Sequence, residues 1–184
     1  MSNLVLPIGP LMIEHRLIEK MIALIGKELA RIEKEKKVNV DFITTAVDFI
    51  KTYADACHHG KEEDILFREL KKKHISDEHN RIMNELIQEH IHGRKLSSAV
   101  LEEKTKYLQG NEESLEKIKS LLTELKEFYP KHIEKEDHHF FKPVMKYFTQ
   151  EELDSMLDEE YEFDKKYIHV VYNKIVNKWQ KELG

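Results

Sequence analysis

Two segments of the chain repeat a histidine–glutamate spacing that suits metal binding. The first is HGKEEDILF, which contains His59 and Glu63, and the second is HIEKEDHHF, which contains His132 and Glu136. Residues four apart lie one above the other on the same face of an α-helix, so each pair can present an imidazole and a carboxylate together. Because imidazole suits iron, zinc, copper and nickel, each pair predicts half of a transition-metal site.

One further histidine precedes each segment at a similar distance. His15 lies 44 residues before His59, and His90 lies 42 residues before His132. This spacing indicates two similar helical hairpins in succession. Counted from the expected helix ends at a rise of about 1.5 Å per residue, the four histidines and the two glutamates share one height of the structure.

Each segment also contains a competing residue. In the first segment, His58 and Glu62 are likewise four residues apart, but the other register repeats the pattern of the second segment and is therefore favoured. In the second segment, Asp137 lies five residues after the histidine. Because an offset of five residues rotates by about 140° on a regular helix, we favour Glu136.

Helices are the elements that must position these residues. The chain of 184 residues has only 6 glycines and 4 prolines, which argues against a turn-rich β protein. Apolar residues recur with a helical period, and few breakers interrupt them. We predict helices over approximately residues 11–36, 40–73, 76–109, 112–141 and 149–182. Their expected N-terminal caps are Asn39 or Asp41, Ser76 or Asp77, and Thr149 with Glu152.

This pattern predicts an all-α fold. Four long helices with short connections form an up-down-up-down antiparallel bundle, and an additional C-terminal helix packs on it or against a partner. The expected division is a bundle over residues 1–145 and an amphipathic C-terminal helix over residues 146–184.

The composition excludes several classes of protein. A formal charge of −5 gives no basic surface for nucleic acid. A single cysteine, Cys57, excludes an intramolecular disulfide and a cysteine-based metal cluster. No apolar run of about 18 residues exists to span a membrane. The first residues lack the features of a signal peptide, so we expect a cytoplasmic protein.

In order and spacing, four segments resemble the hemerythrin-like, or HHE cation-binding, family. They are Glu14-His15-Arg16, the stretch from His58 to Phe67, the stretch from Glu89 to Arg94, and the stretch from His132 to Asp137. The resemblance covers roughly residues 10–165. It implies a four-helix bundle that holds two non-haem iron ions, with zinc or another divalent metal as a possible substitute.

The resemblance also implies roles for the residues. The terminal ligands would be His15, His59, His90 and His132, and the bridging carboxylates would be Glu63 and Glu136. Hemerythrin itself uses five histidines, whereas four are found here at the expected height, and Arg94 stands one turn after His90. The resemblance therefore predicts an iron ion with an unfilled position or an unidentified ligand.

Three functions follow from this interpretation. The first is a di-iron protein that binds dioxygen or a related small ligand such as NO, for oxygen or iron sensing, storage or handling. The second is a di-iron enzyme that consumes peroxide or NO, which the unfilled position would suit; no separate acid–base or nucleophile pattern accompanies the site, so binding is favoured over catalysis. The third is an interaction bundle with zinc or no metal. The C-terminal helix would be the surface for a protein partner or a homodimer.

Overall fold

The chain is helical throughout its regular elements in a computed structural model, which describes residues 6–165 and 168–183. Those residues contain no strand. The helices are α1 (Ile8–Glu35), α2 (residues 40–70), α3 (Asp77–Leu108), α4 (residues 113–144), α5 (Gln150–Asp164) and α6 (Ile168–Leu183). The first four predicted helices are confirmed, and their bounds agree with the structure to within about one turn.

Two of the helices change their winding part-way along. The backbone is π-helical over Ile50–His59 and Glu62–Phe67 in α2, and over Lys135–Phe140 in α4. The remainder of both helices is α-helical, and the 3-10 turn Met145–Tyr147 follows α4. A π-helical turn is bonded from residue i to i+5 and therefore holds more residues than an α-helical turn.

Side-chain caps fix the starts of three helices. The side chains of Asn39 and Ser76 each accept a hydrogen bond from the backbone N–H three residues on, which selects them over Asp41 and Asp77. Thr149 and Glu152 form the predicted capping box. Each such cap contributes about 1 kcal/mol to helix stability.

The first four helices pack in a closed ring. Helix α1 contacts α2 and α4, and α3 also contacts α2 and α4. Two apolar clusters fill the interior, and the histidines of α1 and α3 lie between them along the chain. On α1, Leu11 belongs to one cluster and Leu17 to the other; on α3, Leu86 and Leu96 are divided in the same way. The polar layer is therefore enclosed by apolar side chains on both sides.

The C-terminal region differs from the single helix that the sequence predicts over 149–182. The structure contains two helices, α5 and α6, and residues 166–167 between them lie outside the described residues, as do residues 1–5 and 184. Helix α5 packs on the Glu62–Phe67 stretch of α2, whereas α6 packs on α1 and on the first part of α2. Because these surfaces are different, two helices are needed to cover them.

Helix α6 buries its apolar face within the chain. Tyr172, Val176 and Trp179 join the apolar cluster of the bundle, and the Trp179 ring meets Phe42 edge to face at 5.2 Å. A partner or homodimer at this helix stays a prediction. In the part of the chain that the structure describes, no helix is both long enough and apolar enough to cross a bilayer.

Candidate metal centre

Seven buried residues bring histidine nitrogens and carboxylate oxygens together between the two apolar clusters. Each is at most 2% exposed. The two-histidine group contains His15, His58, Glu62 and Glu136, and the three-histidine group contains His59, His90 and His132. Within each group, one possible ligand atom from every residue lies within 4.8 Å of the others.

Glu62 connects the two groups. Its Oε1 lies 3.3 Å from Nε2 of His58, in the two-histidine group. Its Oε2 lies 3.2 Å from Nε2 of His90, in the three-histidine group. One carboxylate therefore presents an oxygen to each side.

Glu136 makes the same connection from the opposite helix. Its Oε2 lies 3.2 Å from Nε2 of His15, and its Oε1 lies 3.3 Å from Nε2 of His132. The two glutamates thus span the same pair of histidine groups. This arrangement suits two cations that share both carboxylates.

Among the described residues, Nε2 of His15 and Nε2 of His58 lie 2.8 Å apart, whereas most of the other donor atoms have no hydrogen-bond partner. Both oxygens of Glu62 and of Glu136, and Nε2 of His90 and His132, are buried without a hydrogen-bond partner. Buried polar atoms are nearly always paired, because an unpaired one loses its hydration without replacement. Ligands at about 2.0–2.2 Å from one ion and at right angles to each other are about 3 Å apart, which is close to the observed spacing.

Carboxylates outside this layer orient the histidine rings. The Nδ1 atoms of four histidines are hydrogen-bonded at 2.7–2.8 Å, in the pairs His15–Asp137, His58–Glu14, His90–Glu63 and His132–Glu89. A carboxylate that accepts from Nδ1–H fixes the tautomer and leaves Nε2 free as a ligand. In the fifth, His59, Nδ1 has no hydrogen-bond partner and lies 3.4 Å from Asp55.

The π-helical turns explain how neighbouring residues both reach the centre. Because a π-helical turn contains more than 3.6 residues, consecutive side chains are separated by less than the 100° of an α-helix. His58 and His59, at the end of one π-helical stretch, therefore both face inward. In α4 the same winding lets Glu136 face the centre while Asp137 reaches the outer nitrogen of His15.

The structure brings five of the six sequence-predicted residues together, namely His15, His59, His90, His132 and Glu136. Glu63 lies outside both groups, is 27% exposed on its side chain, and accepts hydrogen bonds from Nδ1 of His90 and from Arg94. Glu62 takes the inward position instead. The sequence prediction assumed regular α-helical winding, and the π-helical turns change which face each residue occupies.

His58 is the histidine that the sequence prediction left out. It is 1% exposed and stands in the two-histidine group, so five histidines face the centre instead of four. The available signal was the pair His58 and Glu62, four residues apart. Arg94, which follows His90 by one turn, hydrogen-bonds Asp55 and Glu63 at 2.7 Å.

The charges of the centre differ between residues. Burial opposes charge on His58, but Glu62 and Glu14 outweigh it and raise the pKa of His58 to about 10. Burial and the neighbouring His90 hold the pKa of His59 well below its usual value. Burial and Glu62 act to raise the pKa of Glu136, but the surrounding histidines lower it to about 2. Glu136 therefore stays anionic near neutral pH.

A family comparison agrees with this geometry. The model described as Hemerythrin HHE cation binding domain matches residues 6–142. The chain belongs to the hemerythrin HHE family. No curated protein and no solved structure gives a significant match. The family match ends before α5 and α6, so the two C-terminal helices of this hemerythrin-family chain lie outside it.

These C-terminal helices contribute to a second polar cluster, which lies behind His58. Lys61 is fully buried, and its Nζ donates to Glu14 and to both carboxylate oxygens of Asp164, at 2.9 and 2.8 Å. Nε2 of His169 lies 3.0 Å from Asp164 and 3.3 Å from Glu14. Glu14, Asp164 and His169, with Cys57, could geometrically hold a cation, but the Lys61 ammonium already supplies the positive charge there.

The Cys57 thiol and the Glu160 carboxyl group, which also belong to this cluster, are neutral near pH 7. Burial raises the pKa of the Cys57 thiol to about 12 and that of Glu160 to about 9. Burial would also raise the pKa of Asp164, but hydrogen bonds from His169 and Lys61 lower it to about 2. The cluster therefore holds one buried ammonium between two carboxylates.

Proposed function

We propose that the chain holds two iron ions between the two histidine groups and uses them to bind dioxygen or a related small ligand such as NO. The observation that carries this proposal is the placement of the two bridging glutamates. Each directs one oxygen to either group, and all four oxygens are buried without a hydrogen bond. Paired carboxylates with histidines inside a helical bundle are the ligand set of di-iron and di-manganese carboxylate proteins.

The proposed ligands are divided unequally. One ion would be held by His15 and His58, the other by His59, His90 and His132, and both by Glu62 and Glu136. With His58 included, the number of histidines equals the five that the sequence comparison expected of hemerythrin itself. The position of His58 therefore supports five histidine ligands where the sequence prediction names four.

The surroundings support binding of a small uncharged ligand. When bound, iron would supply redox chemistry and, on the side with two histidines, a coordination position that the protein does not fill. The chain's own residues hold the rings and keep water away. Phe141 stacks on His15 with ring centres 5.7 Å apart, and Phe67 stacks on His90 at 6.0 Å. Apolar clusters on both sides of the layer favour entry of an apolar molecule over a charged one.

The arrangement supports binding more than turnover. Four of the carboxylates around the centre are engaged with histidine Nδ1 atoms, and the two bridging glutamates are proposed ligands. A group that orients a metal ligand is poorly placed to move protons to and from a substrate. We therefore place ligand binding, and the sensing or storage that depends on it, ahead of peroxide or NO consumption.

The first test is the metal content of two neighbouring variants. Glu62→Gln removes a proposed bridge, whereas Glu63→Gln makes the same change at the adjacent residue, which orients His90 but is not a proposed ligand. After expression with added iron, we expect about two iron ions per chain in the parent and in Glu63→Gln, and less than one in Glu62→Gln. Retention of two ions by Glu62→Gln, or an iron-free parent, would contradict the proposed site.

Ligand binding is tested on the loaded protein. The visible absorption spectrum of the reduced, iron-loaded chain should change on exposure to dioxygen and return when the gas is removed. Steady consumption of peroxide or NO, well above that of free iron, would instead favour the enzymatic alternative.

A further inference from the structure

The C-terminal region reaches the metal centre through an uninterrupted series of charged contacts. Asp164, at the end of α5, accepts two hydrogen bonds from the Lys61 ammonium. Lys61 also donates to Oε1 of Glu14, whose Oε2 accepts from Nδ1 of His58 at 2.7 Å. Three contacts therefore connect a residue outside the family match to a proposed ligand.

The burial of these groups makes their charges effective. Lys61 is fully buried, Glu14 is 1% exposed, and the side chain of Asp164 is 15% exposed. Charges interact far more strongly at such positions than on the surface, because little water lies between them to screen the field. The charge on Glu14 is in turn what sets how basic the His58 ring is as a ligand.

The two groups act on Glu14 with opposite signs. The Lys61 ammonium withdraws negative charge from Glu14 and so weakens its effect on His58. Asp164 binds the same ammonium and so reduces the influence of Lys61 on Glu14. This restores part of the effect of Glu14 on His58. We infer that Lys61 and Asp164 are positioning residues that set the donor strength of His58, and through it the affinity and reduction potential of the metal on the two-histidine side. This inference rests on the proposed metal centre.

A purely structural role for the same contacts predicts something different. If Lys61 and Asp164 only fasten α5 to the bundle, loss of either one loosens the same contact and weakens metal binding in both cases. The chain offers a matched control for this. Arg68 and Glu159 also connect α2 to α5, at 2.7 and 2.9 Å, but they are exposed and do not contact Glu14.

The experiment compares Co²⁺ affinity, by competition with a chelator, in the parent, Asp164→Asn, Lys61→Met and Glu159→Gln. We expect affinity to fall about fivefold in Asp164→Asn and to rise by a similar factor in Lys61→Met, less than the roughly 10–100-fold of a direct partner. Glu159→Gln should match the parent. In the iron-loaded protein, the reduction potential should shift in opposite directions in the two variants, by about 40 mV where the ferric and ferrous affinities change by factors that differ fivefold.

Changes in the same direction, or no change, would overturn the inference. If the parent binds two ions and the variants have the same Co²⁺ affinity as the parent, only the inference about Lys61 and Asp164 fails. If the parent binds no metal, the proposed function fails as well. If Lys61→Met does not fold, the double variant Glu14→Gln, Asp164→Asn decides. If Asp164→Asn lowers Co²⁺ affinity as much in the Glu14→Gln background as it does in the parent, Asp164 does not act through Glu14.

Discussion

In both histidine groups, carboxylates are hydrogen-bonded to Nδ1 atoms of the histidines, but these carboxylates are buried to different extents. Behind the two-histidine group, the carboxylates on Nδ1 are Glu14 and Asp137, whose side chains are 1% and 6% exposed. Behind the three-histidine group, Glu63 and Glu89 are each 27% exposed. Charge effects are stronger where water is excluded, so the buried pair should influence its metal more than the half-buried pair does.

Every one of these outer carboxylates also has a cationic partner. Lys61 and Arg16 contact the buried pair, and Arg94 and Lys135 contact the half-buried pair. Both sides therefore have carboxylates that are paired with cationic side chains, and the main difference between the sides is how deeply these carboxylates are buried. The comparison teaches that position in the fold, more than residue type, should decide how sensitive each metal is to its surroundings.

The largest effect is expected from a histidine on the side that has only two. His15→Gln should lower the iron content from about two ions per chain to about one, because one histidine and two shared carboxylates cannot complete a site. His59→Gln should lose less iron, since two histidines remain in the three-histidine group. His92→Gln, which changes an exposed histidine, is the control and should keep two ions. Equal losses in His15→Gln and His59→Gln, measured by metal analysis, would remove the distinction between the sides.

A smaller effect is expected from the outer carboxylates themselves. Glu14→Gln should weaken Co²⁺ binding by about 10–100-fold, the range for partners of metal-bound histidines. Glu89→Gln makes the same chemical change on the half-buried side and should cost about threefold, because solvent screens its charge. Chelator competition measures both. An equal cost for the two variants would show that burial does not separate the sides.

The pH dependence of stability sharpens the comparison without a variant. The pKa of His58 is raised to about 10 and that of His90 to about 11, in each case by carboxylates that outweigh burial. A histidine whose pKa is raised on folding stabilises the fold while it is protonated. This contribution is complete below the unfolded pKa of about 6.5 and is lost as the pH rises through the folded pKa. The Tm of the metal-free chain should therefore fall between about pH 7 and about pH 11. The Co²⁺-loaded chain, whose histidines carry metal instead of protons, should change less, and parallel curves would contradict this.

The smallest effect is expected at Arg94. Its side chain is 38% exposed, and its hydrogen bonds go to Asp55 and Glu63 on the half-buried side. Many exposed ion pairs contribute close to nothing within a range of about 0–1 kcal/mol, so Arg94→Gln should change Co²⁺ affinity by less than about twofold. Added salt should shrink even that difference. A loss as large as that of Glu14→Gln would assign Arg94 a direct role.

Much of the fold and most of the site could be predicted from the sequence. Helical periodicity and the caps at Asn39, Ser76 and Thr149 place the helices, because these signals are local. The histidines that face the centre from α1 and α3, His15 and His90, are among the residues that the sequence prediction names, and both are fully buried. These parts depend only on neighbours along the chain.

The rest depends on features that the sequence pattern does not express. The choice between Glu62 and Glu63 turns on π-helical winding, which no regular repeat reveals. The division of the C-terminal region into α5 and α6 depends on which bundle surfaces each covers, a matter of tertiary packing. The contact of Lys61 with Asp164 joins residues more than a hundred positions apart.

The π-helical turns also limit how the length of this chain can vary. Because a π-helical stretch has more residues per turn, its side chains point in directions that differ from those of a regular α-helix of the same sequence. Deletion of a single residue within Ile50–His59 would favour regular winding, in which consecutive side chains are again about 100° apart. His58 and His59 could then no longer both face the centre. Around this centre, the spacing of residues should tolerate less change than their identities do.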